Sequence, residues 1–429
     1  MREMVEKAIE TVLSNSKGDH TEVSVILNRQ GATRFANNAI THNQESERIG
    51  ISVRVAFGNK VGSASTNLLD EPSVVEVVRR AEEIAMSAEP DTEYLPPPGP
   101  QDYLQTQCFS EKTDLFGPMD RAEAIRASID MCESKGLISA GSFITARTDL
   151  FIANSSGLRA EHKESMARFA VTAISPDSSG WAESVDFDVT RIDPLSITGI
   201  AIEKAIASKS PREIEPRSYE VILEPAAVAE IGAFIIFSMD AKAAHEGRSP
   251  FTGKEGERIG SELVTLRSDP SDPRCPSRPF LEDGMPAQRI FWIRNGVLEN
   301  LFYSRFWAQK TGHPFTGMPT NLIMDGQGKS IEEMISSTKD GLLITRFWYI
   351  RFVEEMRLVL TGMTRDGVFK VEDGKIIHSV KNMRFNESML DALSNVEATG
   401  REKRTGEYIP SLVPAVKISS FTFTSTTTF

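Results

Sequence analysis

Cysteine is scarce in this 429-residue sequence: Cys108, Cys132 and Cys275 are all there are, and they stand far apart. An odd, dispersed set argues against a disulfide framework and favours a reducing compartment, so the cytoplasm is the expected location. Histidine is also rare, with six residues at 20, 42, 162, 245, 313 and 378, no two within twenty positions of each other. Long apolar runs are missing. The strongest, Ile231 to Met239, follows Glu230 and falls well short of the ~20 residues a bilayer needs, so no membrane partner is expected. The opening residues include Arg2, Glu3, Glu6 and Lys7 without an apolar block behind them, unlike a secretory signal. A basic excess is absent too. With 48 Lys and Arg against 60 Asp and Glu, the net charge of −12 argues against nucleic acid as a partner.

What is present is a globular composition, 40% hydrophobic and 25% charged, in a chain long enough for about three domains. Residues 1–95 form a first α/β unit: a helix over 2–14, then strands from Glu22 to Thr66 in which Ile49, Ile51, Val53, Val55 and Phe57 alternate with polar or small residues. Asp70 and Pro72 mark the cap and first turn of a helix predicted to point Val74, Val75, Val78, Ala81 and Ile84 inward. A proline-rich linker follows, expected to be solvent-accessible near Pro96–Pro100. The second α/β unit, 106–212, has helices near 118–134 and 194–207 around strands near 138–148, 149–153 and 158–175, with a turn at Asn154-Ser155-Ser156-Gly157. The third, 218–429, opens with the strand Tyr219–Glu224 and an apolar helix from Pro225 to about Met239. Hairpins turn at Asn295-Gly296 and Asp373-Gly374, helices fall near 330–338 and 386–395, and Ala415–Phe423 is a last strand. The fold class is α+β: two small α/β N-terminal units followed by a larger β-rich C-terminal domain. No 20–50-residue repeat supports a solenoid.

Several segments of the third unit resemble the TldD/PmbA family. They are Gly247-Arg248-Ser249-Pro250-Phe251-Thr252-Gly253-Lys254-Glu255-Gly256-Glu257, Pro279 to Pro286, Asn295-Gly296-Val297-Leu298, and Thr361-Gly362-Met363-Thr364-Arg365-Asp366-Gly367 followed by Val371 to Ile376. Each is weak alone, but their order and spacing across the unit make the joint match specific. In TldD-type members the resemblance implies a zinc peptidase with H-E-x-x-x-H on the central helix and a distant Cys as third ligand, the metal holding a water that the Glu deprotonates. Counting back from Gly247-Arg248-Ser249 puts the His positions at Gly232 and Phe237 and the Glu position at Ala233. The third-ligand region, Ala398–Gly406, contains no Cys. No catalytic residue and no metal ligand is therefore assigned. The chain is similar to the TldE/PmbA type, which implies a TldD-like catalytic partner or self-association as a dimer, zinc bound in that partner rather than here, and a peptide as substrate. The rival expectation is a catalytically inert, homo-oligomeric peptide-binding or scaffold protein.

Candidate peptide-cleft residues are Arg248, His313, Arg365 and Asp366, each with a plainer alternative. Arg248 lies among Glu246, Glu255 and Glu257 as in a solvated mixed-charge face. His313 suits a loop, and Asp366 a turn in which it bonds nearby amides. His245-Glu246 begins like a zinc motif, but Arg248, Ser249 and Pro250 follow, and a solvated loop is expected. Phe234 to Phe237 are expected in the core or at a subunit interface. Cys275 is expected to be exposed, with Arg274 placed to lower its pKa, and is given no role. Gly328-Lys329-Ser330 lacks the earlier glycine of a phosphate loop, because Ile323 occupies that position.

Overall fold

The computed structural model describes residues 1–406 and 409–427. Its N-terminal half is built twice on one plan. Helix α1 (Arg2–Asn15), strands β1 (His20–Ala36), β2 (Ala39–Phe57) and β3 (Lys60–Thr66) and helix α2 (Glu71–Ser87) form the first copy. After a short helix, α3 (Glu111–Leu115), the second copy runs through α4 (Pro118–Glu133), β4 (Ile138–Asn154), β5 (Arg159–Ser175), β6 (Ser178–Asp186) and α5 (Pro194–Ala207). The copies share one antiparallel sheet of order β3-β2-β1-β4-β5-β6, with β1 and β4 paired from Glu22↔Asn154 to Phe35↔Gly141. The two units read separately in the sequence are thus joined by a continuous ladder.

Alternation decides which side of this sheet the helices cover. Val23, Val25, Ile51, Val53 and Val55 bury against Val5, Ile9 and Val12 of α1 and Val74, Val78 and Ala81 of α2. In the second copy Phe143, Phe169 and Val171 bury against Ile125 and Ile129 of α4 and Ala201 and Ala205 of α5. Each copy brings its last helix onto a glycine of its last strand. A Cβ at Gly62 would stand 2.2 Å from the Ala81 carbonyl oxygen, and one at Gly180 would stand 2.3 Å from that of Ala201.

Local signals held where the physics is local. Asp70 caps α2 by accepting the Ser73 N–H. Asn154 Oδ1 accepts from Ser156 and Leu158 as Gly157 turns at φ +89°. Three expectations need correction, and one strand gave no sequence signal. Val75 and Ile84 are exposed; the buried stripe of α2 is Val74, Val77, Val78, Ala81 and Ala85, following 3.6-residue periodicity more strictly. Residues 138–154 are one strand, not two. Strand β6 escaped notice because Ser178, Ser179 and Gly180 carry no apolar alternation. The linker is only partly accessible: Pro97 and Pro98 are buried, the Pro98 carbonyl accepts from Asn154 Nδ2 (2.8 Å), and Arg305 holds the Pro96 carbonyl (2.7 Å).

Among its described residues the C-terminal part contains eleven strands: β7 (Ser218–Leu223), β8 (Leu266–Ser268), β9 (Ile290–Arg294), β10 (Val297–Leu298), β11 (Leu322–Met324), β12 (Asp340–Glu354), β13 (Val359–Glu372), β14 (Lys375–Ser379), β15 (Met383–Ser388), β16 (Val396–Thr405) and β17 (Ser411–Thr426). The order β17-β15-β13-β12-β7 closes on itself, because β7 also pairs with β17, although β7 covers β12 only over residues 341–344. Helix α6 (Pro225–Phe237) packs Val228, Ile231 and Ile235 into the main core. The Asn295-Gly296 and Asp373-Gly374 hairpins form with positive φ at both central residues. Cys275 is fully buried, and burial pushes its thiol up to about 12, the reverse of the exposed, acidified thiol expected. Among the described residues no helix is long and apolar enough to cross a membrane.

Candidate functional site

The second copy of the N-terminal plan turns its helix-free face toward the C-terminal part, and a cleft of about 360 Å³ opens between them. Helix α6 supplies its floor. While Val228, Ile231 and Ile235 face the core, Ala226, Ala229, Glu230, Ala233 and Phe234 fall on the other side at one-turn intervals and line the cleft. One wall is the sheet face carrying Arg168, Trp181 and Glu183; Thr405, Gly406 and Ile409 close the end. A neighbouring hollow of about 330 Å³ shares Arg168, Thr405, Gly406 and Ile409 and continues along the sheet face.

Strand β12 makes the opposite wall, and it is irregular there. Parallel strand β7 pairs with it only over residues 341–344. Beyond that, its register against β13 slips between Ile344 and Arg346 and again between Trp348 and Arg351. Tyr349 sits at φ +58°, a conformation costly for an aromatic residue. The slip thrusts Trp348 and Tyr349 outward, 43% and 57% exposed. The Phe347 N–H donates to Glu230 Oε2 at 2.8 Å, tying this wall to the floor.

The charged groups are mostly spoken for. Arg168 Nε donates to Glu183 (2.9 Å), whose other oxygen accepts from Thr405 Oγ1 (2.7 Å). Arg346 Nε donates to Asp366 Oδ2 (2.9 Å), and its guanidinium lies 4.4 Å from the centre of the Trp181 ring. Asp366 itself is buried inside β13 at φ +55° and also accepts from Ser179 Oγ (2.8 Å). It braces Arg346 and the sheet face rather than capping a turn through nearby amides. Arg365 reaches the rim, 4.3 Å over the Trp348 ring.

Arg248 and His313 do not line this cleft. Arg248 is exposed and pairs with Glu246; His313 stacks on Tyr303, with centroids 4.5 Å apart. His245 is not in a solvated loop either. It ends helix α7 (Ala241–His245), where Nδ1 accepts from Trp307 Nε1 (3.0 Å) and Nε2 meets the Tyr303 hydroxyl (3.2 Å). Because an indole only donates, Nδ1 must be the unprotonated nitrogen. Of the expected ligand positions, Gly232 is buried with Leu322 3.0 Å from where its Cβ would be, Ala233 lines the cleft, and Phe237 is 47% exposed. Sequence reasoning missed Glu230, Trp181, Arg346 and the cleft role of Trp348–Arg351. Only the last left a local signal, an unusually aromatic run inside a strand.

Family models match nearly the whole chain in three consecutive pieces: PmbA/TldA metallopeptidase domain 1 over residues 21–85, the central domain over 107–209 and the C-terminal domain over 216–425. The chain belongs to the PmbA/TldD family. Within it, the metalloprotease PmbA of Escherichia coli O157:H7 is 22% identical over 448 residues, covering 97% of this chain and 96% of the relative. The crystal structure of TldE from Thermococcus kodakarensis superposes with a TM-score of 0.89 at 16% identity, covering 98% of this chain and all of that one. A putative modulator of a DNA gyrase from Thermotoga maritima superposes at 0.86 with 20% identity, covering 98% and 100%. The PmbA/TldD fold is thus the fold of this chain.

A metallopeptidase family implies a metal, and the donors here can be tested against one. The described side chains of the cleft include two carboxylates, Glu183 and Glu230, and no imidazole or thiolate. Glu183 is held by Arg168 and Thr405, and Glu230 by a backbone N–H. Among the described residues no three His, Cys, Asp or Glu converge on a point where an ion would sit. Zinc prefers four tetrahedral donors rich in nitrogen and sulfur, and this set does not fit it.

Proposed function

We propose that this chain is the non-metal, TldE/PmbA-like subunit of a peptidase complex that degrades or trims peptides. Zinc would be bound by a TldD-like partner, and this chain would shape a peptide-holding cleft. One observation carries the reading. The cleft face of α6 offers Ala229, Ala233 and Phe234 around a single carboxylate already engaged by Phe347. Ala229, Glu230 and Phe234 have the H-E-x-x-x-H spacing, with Glu230 kept and both imidazoles replaced, and all three line the cleft, which Gly232 does not. We therefore place the degenerate motif there, three residues before the position counted from the sequence.

Among the described residues no second strand pairs with β12 beyond residue 344, so apart from the Phe347 N–H held by Glu230 that edge is open for an extended peptide to join in the cleft. The end of the β12–β13 hairpin exposes Phe352, Val353 and Met356, further along the strand that carries the exposed Trp348 and Tyr349. Exposed apolar residues gathered this way mark a surface that another chain covers. Three unpaired cysteines suit the cytoplasm.

The test is co-expression with a TldD-like chain, followed by sedimentation, metal analysis and peptide cleavage. We expect a complex, chelator-sensitive cleavage by the pair, and neither stoichiometric zinc nor cleavage from this chain alone. About one tight zinc per isolated chain, or a monomer that ignores the partner, would overturn the reading.

A further inference from the structure

The cleft mouth carries an arrangement that its engaged floor does not explain. Three arginines lie against three aromatic rings there: Arg346 on Trp181 at 4.4 Å, Arg351 on Tyr349 at 4.3 Å and Arg365 on Trp348 at 4.3 Å. In a chain of net charge −12 this is a local reversal of sign. Two of the three have carboxylate company in Asp366, held by Arg346 and 3.7 Å from Arg365. Arg351 has none among the described residues. Its one hydrogen bond there runs from Nη1 to the neighbouring Ile350 carbonyl, leaving the rest of the guanidinium fork open. The segment presenting it is the strained one, with Tyr349 at positive φ and the β12 register broken between Trp348 and Arg351. Such strain persists where the surroundings over-determine it, commonly at ligand clamps.

We propose that Arg351 anchors a carboxylate of the peptide held in this cleft, with Trp348 and Tyr349 flanking the residue that bears it. A planar guanidinium pre-oriented on a ring presents two parallel N–H groups to a carboxylate. A 360 Å³ cleft has room for a terminal residue and its neighbour. The inference rests on the peptide-cleft reading above and adds the chemistry of its anchor. The carboxylate is either a peptide C-terminus or an acidic side chain, and the probes separate the two sources.

Calorimetric titration should use the pentapeptide Ala-Gly-Phe-Gly-Phe as free acid, the same peptide as C-terminal amide, and an amide with Asp in last place. The free acid should bind at least tenfold more tightly than the amide. Arg351→Gln should lower the free acid to the level of the amide and leave the amide unchanged; Arg351→Lys should restore part of the difference. A free acid that alone exceeds the plain amide assigns the C-terminus, an Asp-terminated amide that alone exceeds it assigns the side chain, and both exceeding it alike means that either carboxylate at that position is held. Equal binding of all three peptides, or equal weakening of all three by Arg351→Gln, overturns the anchor and leaves the cleft reading standing. If none of the three binds at millimolar concentration, the cleft reading falls and the anchor with it.

Discussion

The two copies of the N-terminal plan are built alike on their helical side and treated differently on the other. In the second copy the helix-free face is covered. Phe280, from the C-terminal part, is fully buried against Leu150, Ile152, Leu158 and Ala160, and Arg168, Trp181 and Glu183 form the cleft wall. In the first copy the corresponding face shows Ser24, Ile26, Ser52 and Ser63, with Ile26 44% exposed. The helical cores of the two copies are built alike and so do not decide which copy docks. Docking therefore falls on whichever face carries apolar or ion-paired groups, and one plan duplicated yields one scaffold half and one working half.

Substitutions can break or sharpen this contrast. The largest effect is expected on the docked face. Phe280→Ala should cost about 3–5 kcal/mol in a denaturant titration, because a wholly buried ring leaves a cavity between two parts of the fold. A loss below about 1 kcal/mol would mean that the docked face is not what holds the halves together.

The helical sides should respond equally. Gly62→Ala and Gly180→Ala each drive a methyl into helix backbone at similar distance, 2.2 and 2.3 Å, and each should cost about 3 kcal/mol, at the upper end of overpacking effects. A clear inequality between their thermal shifts would deny that the copies are equivalent in packing.

Next is the loop that carries Phe280 toward the sheet. Burial would raise the Asp272 pKa, but hydrogen bonds from Arg274 and Arg267 outweigh it and hold the carboxyl at about 2. A depressed carboxyl stabilises the fold above its unfolded pKa of ~3.9, and that contribution fades as pH falls through about 2. Asp272→Asn should therefore cost about 2 kcal/mol at pH 7, and the gap from wild type should close on acid titration. A gap constant from pH 7 to pH 2 would show that the ion pairs contribute nothing. The smallest effect belongs to the open face: Ile26→Ala should shift stability by no more than about 0.5 kcal/mol.

Much of the fold was legible where one or a few neighbouring residues decide the backbone. Asp70 before Pro72, Asn295-Gly296 and Asp373-Gly374 set their cap and turns through their own side chains or their tolerance of positive φ. The apolar run after Pro225 announced a buried helix, but not which of its faces looks into the core. That choice made Glu230 a cleft residue and Gly232 a core one, and it depends on where Leu322 and Phe347 arrive from other strands. Asp366 shows the same limit. Its sequence suggests a turn, whereas Arg346 and Ser179, twenty and 187 residues away, make it a brace.

By itself the sequence determined the family, the α+β class, and a central helix lacking imidazole at the ligand spacing, because side-chain chemistry and hydrophobic period are written in it residue by residue. Only the tertiary structure decided that the first two units share one sheet, which of their faces docks, and that Arg351 stands at a cleft mouth with no carboxylate partner among the described residues. These facts depend on pairing and burial between residues more than a hundred positions apart. No local propensity encodes such pairing, since each strand's edges and faces are equally available until the others are in place.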